Sequence, residues 1–186
     1  MKKAGVMVIL LLFLTGCSGA SHEIERGMAL RSKLLQANSC TFDVDITADY
    51  GDEVYTFAMV CQGDANGNVT FSVKEPETIA GITGTVSDDG GKLTFDDTAL
   101  QFDLMADDQV TPVTAPWILL KTLRGGYLTS ACMEEEKLRL TIDDSYEDDA
   151  LTLDIWLNAE DIPVRCEILY DGRRILSLNV TNFTIL

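Results

Sequence analysis

The sequence predicts an α+β protein that is mainly β: a curved antiparallel sheet with an N-terminal helix and a mid-chain helical cap. Three observations support this fold class. Apolar residues recur at helical spacing over residues 23–37, alternate with polar residues from residue 40 onward, and lose that alternation between residues 111 and 133. Because a long sheet tends to curl, we expect the central helical insert to cover its concave face.

An amphipathic helix opens the folded part of the chain. In a helix over residues 23–37, the charged side chains lie elsewhere and one side is formed by apolar residues, namely Ile24, Met28, Leu34 and Leu35. Asn38 is a suitable residue to end it.

The next two segments predict a hairpin. Residues 40–48 and 53–61 both alternate, so each has one apolar and one polar face. A turn at Tyr50-Gly51 places every apolar residue of one strand opposite an apolar residue of the other, and a slip by one residue would destroy that match.

Four cysteines lie in the folded part. The predicted hairpin places Cys40 opposite Cys61, and directly opposed strand residues have a β-carbon separation that suits a disulfide. Disulfides persist in exported proteins. We therefore predict a Cys40–Cys61 bridge, which leaves Cys132 to pair with Cys166.

Short strands separated by turn signals fill most of the remaining chain, which is typical of an antiparallel sheet. Pairing the last two strands puts Ile168 opposite Leu176 and Cys166 opposite Leu178, which requires a three-residue loop, 171–173. The further predicted strands are residues 69–74, 78–87, 92–95, 99–105, 137–143, 150–157, 162–170 and 174–184.

Residues 111–133 interrupt the strands. Two prolines precede an apolar run at residues 117–123, and Gly125-Gly126 follows it. Proline near the start and glycine after the end are typical of a short helix. We also expect a second short helix at residues 127–133.

The first 16 residues have the layout of a secretory signal. Two lysines precede an apolar run, residues 4–14, which is shorter than the roughly 20 apolar residues of a membrane-spanning helix. Leu14-Thr15-Gly16-Cys17 resembles a bacterial lipobox, which implies cleavage before Cys17 and a diacylglyceryl group on its thiol. The alternative is an ordinary signal peptide that ends in a cysteine by chance.

Domain organisation and charge follow from that cleavage. We expect a tether over residues 17–22 and one domain over residues 23–186, exported and anchored to the outer face of the cell membrane. Of the 14 basic residues, Lys2 and Lys3 leave with the signal, so 12 remain against 30 acidic residues. Such a surface repels nucleic acid and anionic lipids, so the lipid on Cys17, and not charge, holds the protein on the membrane.

The chain offers little for catalysis or metal binding. His22 is the only histidine and lies in the tether, so no Ser-His-Asp or Cys-His arrangement can form in the core. Most acidic pairs lie beside turns, where aspartate is favoured by local hydrogen bonding. The segment from Asp64 to Glu75 lacks the glycine that a calcium loop needs at its sixth position. We expect no enzymatic activity, no cofactor and no metal site.

The C-terminal third carries the pattern of a known family. Residues 151–157 (LTLDIWL), Ile162-Pro163-Val164-Arg165, Asp171-Gly172 and Val180-Thr181-Asn182-Phe183 resemble the closing strands of the LolA/LolB-like lipoprotein-carrier superfamily. That resemblance implies a half-open barrel whose apolar cavity takes acyl chains. No residue matches the arginine that locks the lid in that superfamily. The lipobox, the short helix and the cysteine pairs are also similar to GerS-like spore-germination lipoproteins, which implies action through a protein partner.

Two functions are predicted on this basis. The first is binding of a lipid, or of the acyl group of another lipoprotein, in the concavity of the sheet. The alternative is a non-enzymatic adaptor that binds a protein partner at the cell envelope, in sporulation or germination. The competing interpretation is that the predicted cap is an apolar helix that closes the core of the protein. The residues expected at the apolar site are Met105, Trp117, Ile118, Leu120, Leu123, Tyr127 and Trp156.

Overall fold

An eleven-stranded antiparallel sheet with two helices forms the domain, which confirms the predicted fold class. The computed structural model describes residues 19–96, 98–103, 105–106, 109–147 and 150–186. The predicted signal segment and Cys17 therefore lie outside the described residues. Within these residues, no helix is both long enough and apolar enough to cross a membrane.

The helices are α1 (Gly19–Gln36) and α2 (Ala115–Gly125). The first strands are β1 (Ser39–Asp49), β2 (Val54–Asp64), β3 (Val69–Glu75), β4 (Thr83–Ser87), β5 (Gly90–Phe95) and β6 (Thr98–Phe102). A separate two-stranded ribbon follows, β7 (Met105–Ala106) and β8 (Gln109–Val110). The last strands are β9 (Tyr127–Glu134), β10 (Lys137–Asp143), β11 (Thr152–Leu157), β12 (Pro163–Tyr170) and β13 (Arg173–Ile185).

The strand order places the first strand, β1, and the last strand, β13, side by side at the centre of the sheet. The order is β6-β5-β4-β3-β2-β1-β13-β12-β11-β10-β9, so neighbours are also consecutive in sequence except at β1 and β13. The sheet does not close, because β6 and β9 stand at its opposite ends. Two runs of antiparallel strands are thus joined through one long central pair.

Contacts of α2 require the sheet to curl. A Cβ added to Gly63 on β2 would lie 2.6 Å from Leu120 Cδ1, and one added to Gly126 would lie 2.7 Å from Ile142 Cγ2 on β10. In a flat sheet β2 and β10, five positions apart, would be about 24 Å from each other. The 11-residue helix is only about 16 Å long. Because one short helix touches both strands, the face that it covers is the concave, inner face.

The predicted register of the first hairpin is wrong by two residues. Cys40 pairs with Gly63 and Phe42 pairs with Cys61, not with Met59. The turn is displaced by one residue, from Tyr50-Gly51 to Gly51-Asp52, because the Tyr50 amide donates to the Glu53 carbonyl across a loop that contains Gly51 at φ 93°. The apolar faces nevertheless coincide, since a shift of two residues returns every side chain to the same face.

Both predicted disulfides are absent, and all four of these cysteines carry free thiols. The shifted register removes the direct opposition of Cys40 and Cys61 on which their bridge depended. Cys132 on β9 and Cys166 on β12 lie three strand positions apart, about 14 Å. A disulfide requires Cα atoms within about 7 Å. Cys132 is also exposed, whereas Cys166 is fully buried on the inner face.

Two further expectations are corrected. Residues 127–133, predicted as a second short helix, belong to strand β9, which pairs along its length with β10. The closing hairpin has the predicted pairs Ile168–Leu176 and Cys166–Leu178, but a bulge between Ile168 and Leu169 shortens its loop to two residues. Asp171 and Gly172 both have positive φ in that loop, as the favoured two-residue hairpin turn requires.

The state of the cysteines is testable by thiol labelling. Burial raises the pKa of the Cys40, Cys61 and Cys166 thiols, and the thiolate is the reactive form. In a Cys17→Ser chain without reductant we expect rapid labelling of Cys132 alone, and labelling of all four thiols only after unfolding in denaturant. Fewer than four reactive thiols in the unfolded chain would contradict the free-cysteine state.

Candidate apolar binding site

Helix α2 is buried on almost every side. Eight of its 11 residues are buried, among them Trp117, Ile118, Leu120 and Leu123 at 5 % exposure or less. Of the other three, Lys121 is exposed at mid-helix, and its Nζ lies 4.7 Å from the centre of the Trp117 ring and 3.5 Å from Asp88 Oδ1. A helix that is apolar all round needs apolar contacts all round, and the concave face of the sheet provides them.

The inner face is filled by side chains where α2 meets α1 and the start of β1. The space bounded there by Leu34, Cys40, Leu120 and Arg124 measures about 10 Å³. That is at the lower limit for one water molecule. The predicted residues Trp117, Ile118, Leu120 and Leu123 are therefore core residues in this conformation, and α2 occupies the volume that an apolar ligand would take.

Of the remaining predicted site residues, Trp156 and Tyr127 lie away from this group. Trp156 lies on the outer face of the sheet, with its ring 5.5 Å from the Arg139 guanidinium and 4.6 Å from that of Arg165, so its assignment to the concavity is wrong. Tyr127 is half-buried on β9 and packs against the exposed ring of Tyr146. Met105 lies opposite Val110 in the β7–β8 ribbon, but its side chain is outside the described part of the structure.

Arg31 of α1 holds the C-terminal end of α2. Its Nε donates to the Leu123 carbonyl at 2.9 Å and its Nη2 to the Gly126 carbonyl at 2.7 Å. These carbonyls belong to the last turn of the helix, where backbone acceptors lack intrahelical partners and the helix dipole favours a cation. Burial lowers the pKa of Arg31, but an arginine stays protonated at neutral pH.

Two more polar contacts hold α2 and its lead-in segment. Arg124 donates to the carbonyls of Asp64 at 2.8 Å and Ala65 at 2.6 Å, which ties the last turn of α2 to the β2–β3 turn. At the other end, the Tyr50 hydroxyl donates to the Val110 carbonyl at 2.7 Å just before the helix, and burial raises the Tyr50 pKa. Between these contacts the Thr122 hydroxyl is buried and has no hydrogen-bond partner among the residues that the structure describes.

Sequence reasoning missed Arg31, Arg124 and Tyr50 as functional residues. Arg31 was one charged residue among several on a predicted amphipathic helix, and its partners are backbone atoms about 90 residues away in sequence. One signal was present: Gly126 ends an apolar helix, and a cation commonly binds the last carbonyls of a helix.

No protein-family model matches the sequence, and neither does any curated protein. Solved structures of similar fold include an uncharacterized conserved protein from Thermus thermophilus, with 9 % identity, 86 % of each chain covered and a TM-score of 0.49. A LolA superfamily protein from Nitrosomonas europaea has 10 % identity over 86 % of this chain and 93 % of that one, with a TM-score of 0.46. A third structure is a domain from Vibrio parahaemolyticus that is provisionally described as an outer membrane lipoprotein-sorting protein. It has 9 % identity over 90 % of this chain and 93 % of that one, with a TM-score of 0.47.

The contribution of Arg31 to the attachment of α2 is measurable. We expect Arg31→Met to lower the free energy of unfolding by about 2 kcal/mol, because it removes two hydrogen bonds from a charged donor. Lys33→Met on the exposed side of α1 is the matched control and should change stability by less than about 0.5 kcal/mol. Urea unfolding of both variants tests this, and equal midpoints would show that Arg31 does not hold the helix.

Proposed function

We propose that this protein is exported, anchored by a lipid on Cys17 to the outer face of the cell membrane, and takes an apolar chain into the concave face of its sheet. The chain would be a lipid or the acyl group of another lipoprotein. Helix α2 is the cover that moves to admit it. The observation that carries the proposal is that α2 fills the concavity through apolar contacts, while its side-chain hydrogen bonds to the rest of the domain lie at its C-terminal end and the Lys121–Asp88 ion pair at mid-helix is exposed.

Such a cover can be exchanged for hydrocarbon at little cost. An α-helix satisfies its backbone hydrogen bonds internally, so α2 can leave the inner face without stranding a ladder of polar groups, as a strand would. The inner face of the sheet is apolar, with buried residues such as Phe42, Val44 and Ile142. An acyl chain would restore the burial of that surface.

The two tryptophans provide a test with an internal control. Trp117 is a buried residue of α2, and Trp156 lies on the outer face between two arginines. In a Trp156→Phe chain, we expect a bromine-labelled fatty acid to quench the fluorescence of Trp117, because heavy-atom quenching requires contact with the acyl chain. In a Trp117→Phe chain, the same ligand should leave Trp156 emission unchanged.

Two outcomes would contradict the proposal. Absence of quenching at Trp117, together with an unchanged emission maximum at every ligand concentration below that of micelles, would mean that α2 does not move and the concavity does not admit an acyl chain. Equal quenching of Trp117 and Trp156 would mean that the ligand adsorbs to the surface without specificity. Circular dichroism of both variants checks that the fold is retained.

A second candidate function is that of an adaptor for a protein partner at the envelope. The specific observation is at the end of the sheet, where β6 has no neighbour beyond it among the described strands and Leu100 is 62 % exposed. A terminal strand with unpaired backbone groups and an apolar side chain is a template for strand addition.

This alternative predicts a site-specific cross-link. A photo-cross-linking residue at Leu100 should give one discrete conjugate in intact cells, whereas the same group at Tyr146, which is 79 % exposed, should give none. Identical patterns at both positions would exclude a partner at β6.

A further inference from the structure

Helix α1 carries a second apolar face that does not pack on the domain. Its inner side is formed by Gly27, Leu30 and Leu34, which are buried against the sheet and α2. A row on another side consists of Ile24, Met28 and Leu35, which are 41 %, 46 % and 55 % exposed. Positions four and eleven residues apart lie on one face of a helix with 3.6 residues per turn. We call these three residues the outer row.

The chain leaves little distance between the outer row and the anchor. Ser18 is the single residue between Cys17 and the first residue of α1, Gly19. Two residue steps span at most about 7 Å, and Ile24 lies about 7.5 Å further along the helix. A lipid on Cys17 therefore keeps the start of α1 at the headgroup region of the bilayer.

We propose that α1 lies along the membrane surface with the outer row inserted among the lipid headgroups. This inference rests on the proposed lipid anchor. The apolar row would supply a second attachment beside the acylated cysteine, and amphipathic helices bind bilayer interfaces through such a face. The occupant is a zwitterionic bilayer, because a chain with 12 basic and 30 acidic residues after cleavage is repelled by anionic lipid.

Because side chains of α1 bind the rest of the domain, insertion of the outer row would also fix the orientation of the domain on the bilayer. Arg26 Nη2 lies 2.6 Å from Asp161 Oδ1 in the β11–β12 turn, and Arg31 binds the last carbonyls of α2. Around α1, Arg31 lies about 60° from Met28 and about 40° from Leu35, between the outer row and the inner side of the helix. Insertion of the row thus brings the held end of α2 next to the bilayer, where an acyl chain would enter.

The test uses the lipidated full chain in phosphatidylcholine vesicles. Cys132→Ser removes the exposed thiol, and a single new cysteine, Met28→Cys or Lys33→Cys, carries an environment-sensitive nitrobenzoxadiazole label. Lys33 is exposed on α1 and lies five residues, or about 140°, from Met28. We expect the label at residue 28 to shift to shorter wavelength and to lose intensity with nitroxide lipids, and the label at residue 33 to keep its aqueous emission.

Each result has one meaning. Vesicle flotation with both labels in an aqueous environment would overturn the membrane-seated helix while leaving the lipid anchor intact. Failure to float would remove the anchor and this inference together. Adding Ile24→Ser and Leu35→Ser to the Met28-labelled chain should abolish the spectral shift without loss of the fold, because both side chains are exposed. Acyl-chain binding is reported separately by Trp117 fluorescence, so failure of either proposal is recognised independently.

Discussion

Covering the apolar inner face of an open sheet is the constraint on which the structure depends. Eleven strands curl far enough for one short helix to contact both β2 and β10, yet the sheet does not close on itself. Its inner face would remain in water without α2. The apolar sequence of that helix, the glycines where it meets the strands, and the arginine contacts at its C-terminal end are all consequences of this need.

The same constraint connects the helix to function. Apolar contacts are non-directional, so under the proposed function a hydrocarbon of suitable shape would replace Trp117 and Leu120 at the inner face. The hydrogen-bonded attachments lie at the C-terminal end of α2, where Arg31 and Arg124 bind backbone carbonyls. Arg31 belongs to α1, and α1 begins two residues after the predicted lipid anchor. Under the two proposals, α1 would therefore connect the cover helix to the membrane contact.

Much of the fold could be predicted from the pattern of the sequence, but the register could not. Alternation identified the inner face of β1, and proline and glycine located α2. The hairpin register was off by two residues because alternation repeats every two residues, so only the position of the turn, displaced by one residue, distinguishes the two pairings. The Cys40–Cys61 prediction failed with the register, since it depended on the two residues being directly opposed. The Cys132–Cys166 prediction was made by elimination, and it failed because the two residues lie three strands apart.

Site residues were harder to predict for two physical reasons. Trp156 is buried on the outer face by Arg139 and Arg165, so β11 is covered on both sides and burial does not reveal which side is concave. Arg31 and Arg124 donate hydrogen bonds to backbone carbonyls of segments that are distant in sequence. Every residue has a backbone carbonyl, so the sequence does not indicate which one an arginine binds. Strand β9 shows no strict alternation because it lies at the end of the sheet.

Native mass spectrometry of the Cys17→Ser chain, after incubation with phospholipid vesicles and their removal, tests the central claim most directly. If α2 is an exchangeable cover, the spectrum contains a complex of one protein with one lipid that survives gentle ionisation, and the complex is lost when the inner face is made polar by Val44→Asn. A bare protein mass under conditions that preserve the fold would show that the concavity is a permanently filled core.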